Sequence, residues 1–330
     1  MTVRMGLIGV GNMGRHHARL LSETDEVDFV AVHDPAGDTH GAAHNRAPLV
    51  DSVDEMIEMG VDAAVVAIPT TYHADVAMHL AGAGVNMLIE KPLAEHAAQA
   101  RAIRDAVDNA GLVGAVGHVE RCNPALVEMR KRLDEGQIGR VFSITTTRVG
   151  PFPHRIRDVG VVKDLATHDI DIVTWIGGGS FESISAQTAH KMGREHEDLV
   201  KVVGRLANGT VAAMNVNWLT PAKSREVFVL GESGAFRADL LASDLWHYAN
   251  ADVPVEWEDR RRMHGVSEGD QIRYAFSRRE PMRTQLENFL GVLRGDTDRP
   301  IVTLDQGVRV LETAEAILRS ANDSTTEVLS

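Results

Sequence analysis

The chain has a single cysteine in 330 residues, Cys122, so it can close no disulfide within itself and cannot build a metal site from several thiolates. That usage suits a reducing compartment, and a cytoplasmic location is the expectation. No apolar run approaches the roughly 20 residues that a bilayer-spanning helix requires. The N-terminus enters the apolar stretch Val3 to Val10 without the basic region and small-residue cleavage site of a secretory leader. Positive charge is also scarce. Against 47 acidic residues stand 34 Lys and Arg, and the formal net charge of −13 opposes binding to nucleic acid or to an anionic membrane. Neither partner is expected, and the chain shows no internal repeat or low-complexity segment.

The rest of the composition, 44% hydrophobic and 25% charged, is that of a globular protein. Its length exceeds what one core usually serves, so two domains are expected. The first 120 residues alternate strand and helix patterns. Strands are expected at residues 3–8, 27–33, 63–68, 85–89 and 112–116. Helices are expected at 12–21, 52–58, 72–83 and 95–109, with a weakly patterned stretch at 37–48 that has room for a short helix. This alternation implies a doubly wound parallel sheet with right-handed crossovers, a Rossmann domain. After about residue 138 the period changes. An alternating, half-exposed strand follows at 141–149 and stretches of strand character at 181–188, 199–206, 210–218, 225–230 and 235–240, with a helix at 164–175 and turn pairs Asn208-Gly209 and Ser233-Gly234 at hairpin spacing. The second domain, 121–330, therefore reads as α+β with a large, mainly antiparallel sheet. Helices at 282–293 and 305–320 close the chain and could pack back on the first domain, and a polar tail from Asn322 is expected to fray.

Gly9-Val10-Gly11-Asn12-Met13-Gly14 matches G-x-G-x-x-G between an expected strand and an expected helix, the context its mechanism demands. Gly9 permits the tight turn, Gly11 lets the backbone approach a pyrophosphate, and Gly14 allows close helix packing while the helix N-terminus offers N–H groups to the anion. Asp34 lies about 20 residues past the last glycine, at the end of the second strand, where a carboxylate accepts hydrogen bonds from the adenosine ribose. NAD is favoured over NADP, with Arg46 as the nearest candidate for a 2′-phosphate.

Two further constellations carry chemistry. Glu90-Lys91-Pro92 follows the fourth expected strand at the carboxyl edge of the sheet, where ligands of open α/β folds bind. Proline restricts the lysine backbone and permits a cis bond, which would fix the direction of the ammonium; the plain alternative is a surface lysine. Asp164 and His168 stand at i and i+4 and share a face if helical. A carboxylate that orients an imidazole makes a general base. Asp169 and Asp171 raise a metal site as a competing idea, outweighed by a solvated acidic face, and no metal is expected.

With the glycine loop, Asp34, Glu90-Lys91-Pro92 and the Asp164/His168 pair in order, the chain resembles the Gfo/Idh/MocA family of oxidoreductases over nearly its whole length. The stretches Ile68-Pro69-Thr70-Thr71-Tyr72-His73, Gly117-His118-Val119-Glu120-Arg121 and Asn217-Trp218-Leu219-Thr220-Pro221 with Arg225 add to the likeness. The resemblance implies a catalytic centre of Lys91, Asp164 and His168. It also implies that Ile68, Pro69, Thr70, His73 and Glu90 line the NAD site with Gly9, Gly11, Asn12, Met13, Gly14 and Asp34. A dimer or tetramer built through the C-terminal sheet follows from it too. Within the family, His118 and Arg121 with Arg148-Val149-Gly150-Pro151-Phe152-Pro153 look like enzymes that oxidise UDP-N-acetylglucosamine at C3, although Cys122 stands where such relatives often carry an aromatic. Arg148, His154, Arg155 and Arg157 concentrate positive charge that could hold a diphosphate; a solvated basic loop is the alternative. The implied reaction oxidises a secondary hydroxyl of a sugar-like substrate, with either His168 or Lys91 as base. Oxidation of inositol or a free sugar, NAD-assisted glycoside hydrolysis and non-catalytic NAD sensing stay open as alternatives.

Overall fold

The protein is described here from a computed structural model over residues 2–153, 159–251 and 268–329. It divides into two units, one comprising Met1–Val119 with Glu280–Glu315, the other Glu120–Arg279 with Ala316–Ser330.

The first unit is built on six parallel strands: β1 (Val3–Ile8), β2 (Val27–His33), β3 (Leu49–Val50), β4 (Ala63–Val66), β5 (Asn86–Glu90) and β6 (Gly114–Gly117). Their order, β3-β2-β1-β4-β5-β6, reverses direction between β1 and β4, the switch point where ligands of doubly wound sheets bind. The strands read as unbroken apolar runs because both faces are covered. Ile8, Val66 and Ile89 pack with Leu80, Ile103 and Leu311 on one side. Met5, Leu7, Val65 and Leu88 pack with Leu20, Phe289 and Leu290 on the other. The helices between strands are α1 (Gly14–Glu23), α2 (Val53–Glu58), α3 (His73–Gly82) and α4 (Ala97–Asn109). Ser52 starts α2 as its pattern suggests, its hydroxyl accepting the Glu55 N–H at 3.1 Å. The stretch 37–48 forms turns and no helix. It leads into β3, a sixth strand beyond the five expected; at two residues β3 is too short to show a period, and its pairing with Val32 and His33 defines it.

The second unit opens with α5 (Pro124–Asp134), a helix the sequence reading passed over although Asn123 and Pro124 are start signals; the Asn123 side chain accepts the Ala125 N–H. Then come β7 (Val141–Pro151), a π-helical turn Val162–Ala166, α6 (Thr167–Gly177), β8 (Phe181–Ala189), β9 (Leu199–Leu206), β10 (Val211–Asn217), β11 (Leu219–Gly231), β12 (Gly234–Asp239), β13 (Asp244–Ala249), β14 (Gln271–Arg273) and β15 (Glu327–Val328). The nine strands form one sheet in the order β14-β13-β12-β11-β7-β10-β9-β8-β15. Every pair is antiparallel except β7 with β10. Strand β9 alternates, with Val200, Val202 and Leu206 buried and Lys201, Val203 and Arg205 exposed. The polar tail does not simply fray, because Glu327 and Val328 pair with Ile184 and Ser183. Strands β13 and β14 also went unanticipated.

Candidate active site

The glycine loop is fixed by close backbone approach. Gly9 has φ +93°, and a Cβ there would lie 2.5 Å from the Ala67 carbonyl oxygen. A Cβ on Gly14 would lie 2.0 Å from the Gly9 carbonyl oxygen, so only glycine lets α1 begin against the turn. Gly11 differs: a Cβ there would meet nothing within 4 Å, and Asn12 and Met13 beside it are exposed. No side chain caps α1 and its first turn holds no acidic residue; the Arg15 and His16 N–H groups already donate to the Gly11 and Met13 carbonyls, so what the helix end offers an anion is chiefly the positive end of its dipole. Asp34 directs Oδ2 at the Val10 N–H and Oδ1 at the Ala36 N–H, both at 2.9 Å. An ionised carboxylate so held keeps lone pairs for ribose hydroxyls and repels a 2′-phosphate. Arg46, the nearest candidate for such a phosphate, donates from Nη1 to the Ala42 carbonyl at 2.6 Å. The open cradle over Gly11, the uncapped helix and Asp34 together fit the adenosine and pyrophosphate of NAD.

Lys91 follows β5, and its peptide bond to Pro92 is cis. The preceding Glu90 is buried; its Oε1 lies 2.7 Å from His17 Nε2 on α1, and its Oε2 accepts the Lys91 N–H at 3.3 Å. Burial works against its charge, but the His17 hydrogen bond and the His17 and Lys91 charges outweigh this and hold the carboxyl below the usual range. On the far side of Pro92 sits His73, 1% exposed, with Nδ1 at 3.0 Å from the Pro92 carbonyl oxygen and Nε2 at 3.0 Å from that of Ile68. Burial lowers its pKa, against the pull of the carbonyls. His73 thus lies between the segment after β4 and the segment after β5, and in its neutral form its single N–H donates to one of the two carbonyls at a time. Of the other expected cofactor residues, Ile68 and Thr70 are half-buried and Pro69 is exposed. His118, expected near substrate, is buried just beyond β6.

In the second unit Asp164 lies in the π-helical turn and His168 in the first turn of α6, both half-buried. The two therefore do not sit on one regular α-helix, as the i, i+4 reading assumed; such turns cluster at functional sites. The turn is fastened by Glu197, whose carboxylate accepts the Val162 N–H at 2.9 Å and whose carbonyl accepts the Val161 N–H at 3.0 Å. Gly160 makes room, since a Cβ there would lie 2.0 Å from Glu197 Oε1. Helix α6 is anchored by two arginines. Arg148 donates from Nε to Asp169 at 2.9 Å and from Nη1 to Glu120 at 2.8 Å, Arg225 also reaches Glu120 at 3.2 Å, and Arg121 grips Asp171 from Nε and Nη2.

These contacts bear on two expectations, and a third lies outside the described residues. The Arg148 and Arg121 side chains, expected to meet substrate, are 1% and 10% exposed and committed to carboxylates. Asp169 and Asp171 are buried partners of arginine, forming neither a metal site nor a solvated face. Arg155 and Arg157, with His154, lie outside the described residues. The sequence reading missed His17 and Glu197, and quoted Glu120 within Gly117-His118-Val119-Glu120-Arg121 without giving it a role. Only His17 carried a nearby signal, as the buried-face residue one turn into the helix that follows the glycines.

Comparison with known proteins agrees with this architecture. The oxidoreductase family GFO/IDH/MocA, NAD-binding Rossmann fold, matches residues 3–118, and the GFO/IDH/MocA C-terminal domain matches residues 126–237. Inositol 2-dehydrogenase of Rhizobium meliloti (strain 1021) is 30% identical over 253 residues, 72% of this chain and 76% of the relative. UDP-N-acetylglucosamine 3-dehydrogenase of Acidithiobacillus ferrooxidans is 26% identical over 88% of each chain; its crystal structure superposes with a TM-score of 0.83, covering 98% of this chain and 99% of that one. The WlbA dehydrogenase from Bordetella pertussis, solved with NADH and UDP-GlcNAcA, is 25% identical with a TM-score of 0.80 over 100% and 99%. The chain belongs to the GFO/IDH/MocA family of oxidoreductases, and its first unit is that family's NAD-binding Rossmann domain.

Proposed function

We propose that the chain oxidises a secondary hydroxyl of a sugar, a nucleotide sugar or a cyclitol to the ketone, or runs the reverse, with NAD as the redox partner. Bound NAD supplies the nicotinamide that accepts the hydride from the carbinol carbon. Lys91 polarises the hydroxyl oxygen and stabilises the negative charge that develops on it, and His168, oriented by Asp164, takes the proton. The observation that carries this reading is the placement of Lys91 at the carboxyl end of β5, in the same unit as the glycine cradle, with buried side chains holding the backbone on both sides of it. The likeness to UDP-N-acetylglucosamine 3-dehydrogenase favours a nucleotide sugar. The ion pairs of Arg148 with Glu120 and Asp169 occupy one of the candidate diphosphate ligands, which supports a free sugar or cyclitol, as the name of the inositol 2-dehydrogenase above suggests for that relative.

The test is absorbance of reduced nicotinamide with NAD and a panel of UDP-N-acetylglucosamine, other UDP-sugars, myo-inositol and simple hexoses. Substrate-dependent NADH formation is expected, and the compound that works identifies the class. NAD binding with no turnover on the panel counts against the dehydrogenase reading.

The second unit is proposed to pair with another copy through its sheet. Val203, Val211, Phe228 and Leu230, from β9, β10 and β11, are 58%, 39%, 38% and 41% exposed, and their register sets them on the sheet face opposite the buried positions. Light scattering is expected to give a dimer or tetramer, and Phe228→Glu to lower the mass. A monomeric parent protein would remove this proposal.

A further inference from the structure

We infer that His17 and Glu90 form a buried positioning pair that sets Lys91 for the reaction and couples it to the helix at the NAD phosphate cradle. The inference rests on the catalytic role given to Lys91 above. His17 stands in the first turn of α1, three residues past Gly14, so the helix whose N-terminus borders the glycine cradle also carries the partner of Glu90. The pair is enclosed: His17 is 2% and Glu90 8% exposed. With Glu90 ionised, His17 Nε2 donates to Oε1 at 2.7 Å. The other oxygen accepts the Lys91 N–H.

The fold makes space for this carboxylate. Gly117, at the end of β6, faces it so closely that a Cβ there would lie 3.0 Å from Oε2 and from the Glu90 Cα. Both carboxylate oxygens thus have protein donors, so Glu90 acts on the reaction through the lysine backbone and through its charge beside the ammonium. A buried carboxylate that lost His17 would have to turn towards another donor, and the Lys91 N–H is one it already touches. The lysine would turn with it. A shift of an ångström in a group that touches the reacting atoms is enough to slow chemistry while leaving a cofactor bound at a separate set of backbone donors.

The experiment compares His17→Ala, His17→Gln and Glu90→Gln in the full chain, with Lys91→Ala as control. NAD affinity is read by calorimetry. Steady-state constants are read on the substrate that the panel yields, and the acylation rate of Lys91 by acetic anhydride is read by peptide mass spectrometry, which needs no turnover. His17→Ala is expected to lower kcat by about 10- to 100-fold at nearly constant KM, with NAD affinity within about threefold of the parent. Its Lys91 acylation rate is expected to change by about threefold or more. His17→Gln, whose amide nitrogen falls close to the position of Nε2, restores most of both. If His17→Ala fails to fold, Glu90→Gln carries the test, with the same loss of kcat and retained NAD affinity.

Parental kcat and acylation in His17→Ala would overturn the inference, as would equal losses of NAD affinity and kcat or failure of glutamine to rescue. Full turnover in Lys91→Ala would instead overturn the reading of Lys91 itself. An inactive Lys91→Ala beside parent-like His17 and Glu90 variants would sink the positioning role alone.

Discussion

The two units hold their chemistry-bearing residues by different means. In the first, the site is made largely of main chain: glycines that admit close approach, an uncapped helix end, and carbonyls and N–H groups that hold Asp34 and His73. In the second, long side chains do the holding, with Arg148 and Arg121 gripping Asp169 and Asp171 and Glu197 capping the π-helical turn. A backbone-built site must be spelled locally, because each residue in the loop has one conformational task. A site built by ion pairs can recruit partners from anywhere in the fold, as Arg121 and Asp171 do across 50 residues.

The largest effect that would break this contrast concerns the glycines. Gly14→Ala sets a Cβ against the Gly9 carbonyl, a backbone atom that cannot swing aside, and overpacking of this kind costs about 3 kcal/mol or more. NAD affinity is expected to fall by roughly 100-fold and the thermal midpoint to drop with it. Gly11→Ala meets nothing in the protein, so the midpoint without NAD is expected to stay within about 1 °C while NAD affinity falls, because the methyl group enters the cradle. Calorimetry of binding and unfolding separates the two. Equal midpoints for both variants would show that the loop is held by something other than backbone packing.

The second unit has its own decisive test. Arg148→Met removes one partner from a buried ionic cluster and leaves Asp169 without its closest cation, a change that costs about 3 to 5 kcal/mol. Urea unfolding is expected to show that loss. Arg148→Met combined with Asp169→Leu is expected to recover part of it, since an apolar pair leaves no unpaired charge. No recovery would mean that Glu120 and Arg225 depend on the pair as well.

The same contrast explains what the sequence disclosed. The glycine loop, Asp34 and Glu90-Lys91-Pro92 were legible because their spacing along the chain is their mechanism, and the strands of the first sheet because two buried faces demand unbroken apolar runs. Strand β3 was not, since two residues carry no period. The carboxylate partners of Arg148 and Arg121 were not legible because a charged side chain in sequence gives no sign of a buried partner, and the burial of the acids of α6 was hidden for the same reason. His17 was hidden because its partner, Glu90, is 73 residues away and lies on a different element.

A smaller effect in the first unit shows as pH dependence. Burial holds the His73 pKa below its ordinary value of 6.5, so the folded chain binds this proton less readily than the unfolded chain does. The stabilisation is present above pH 6.5 and is lost as the pH falls through the lowered folded value. His73→Gln is expected to flatten the acid side of a stability profile in that window, read from urea midpoints at a series of pH values. An unchanged slope would place the titration elsewhere.

The smallest expected effect compares two helix caps that look alike in sequence. Ser52 holds only the Glu55 N–H, near the surface, and Ser52→Ala is expected to cost about 1 kcal/mol. Asn123 caps α5 through Oδ1 and also donates from Nδ2 to the Leu240 carbonyl at 3.0 Å, with the side chain buried. Asn123→Ala therefore loses the cap and leaves a buried carbonyl without that donor, about 2 to 3 kcal/mol in all. Asn123→Ser keeps the cap but is too short to reach Leu240, so it is expected to fall between the two. If Asn123→Ser matched the parent in urea unfolding, the distant bond would be adding nothing, and this part of the second unit would be held by local signals just as the first is.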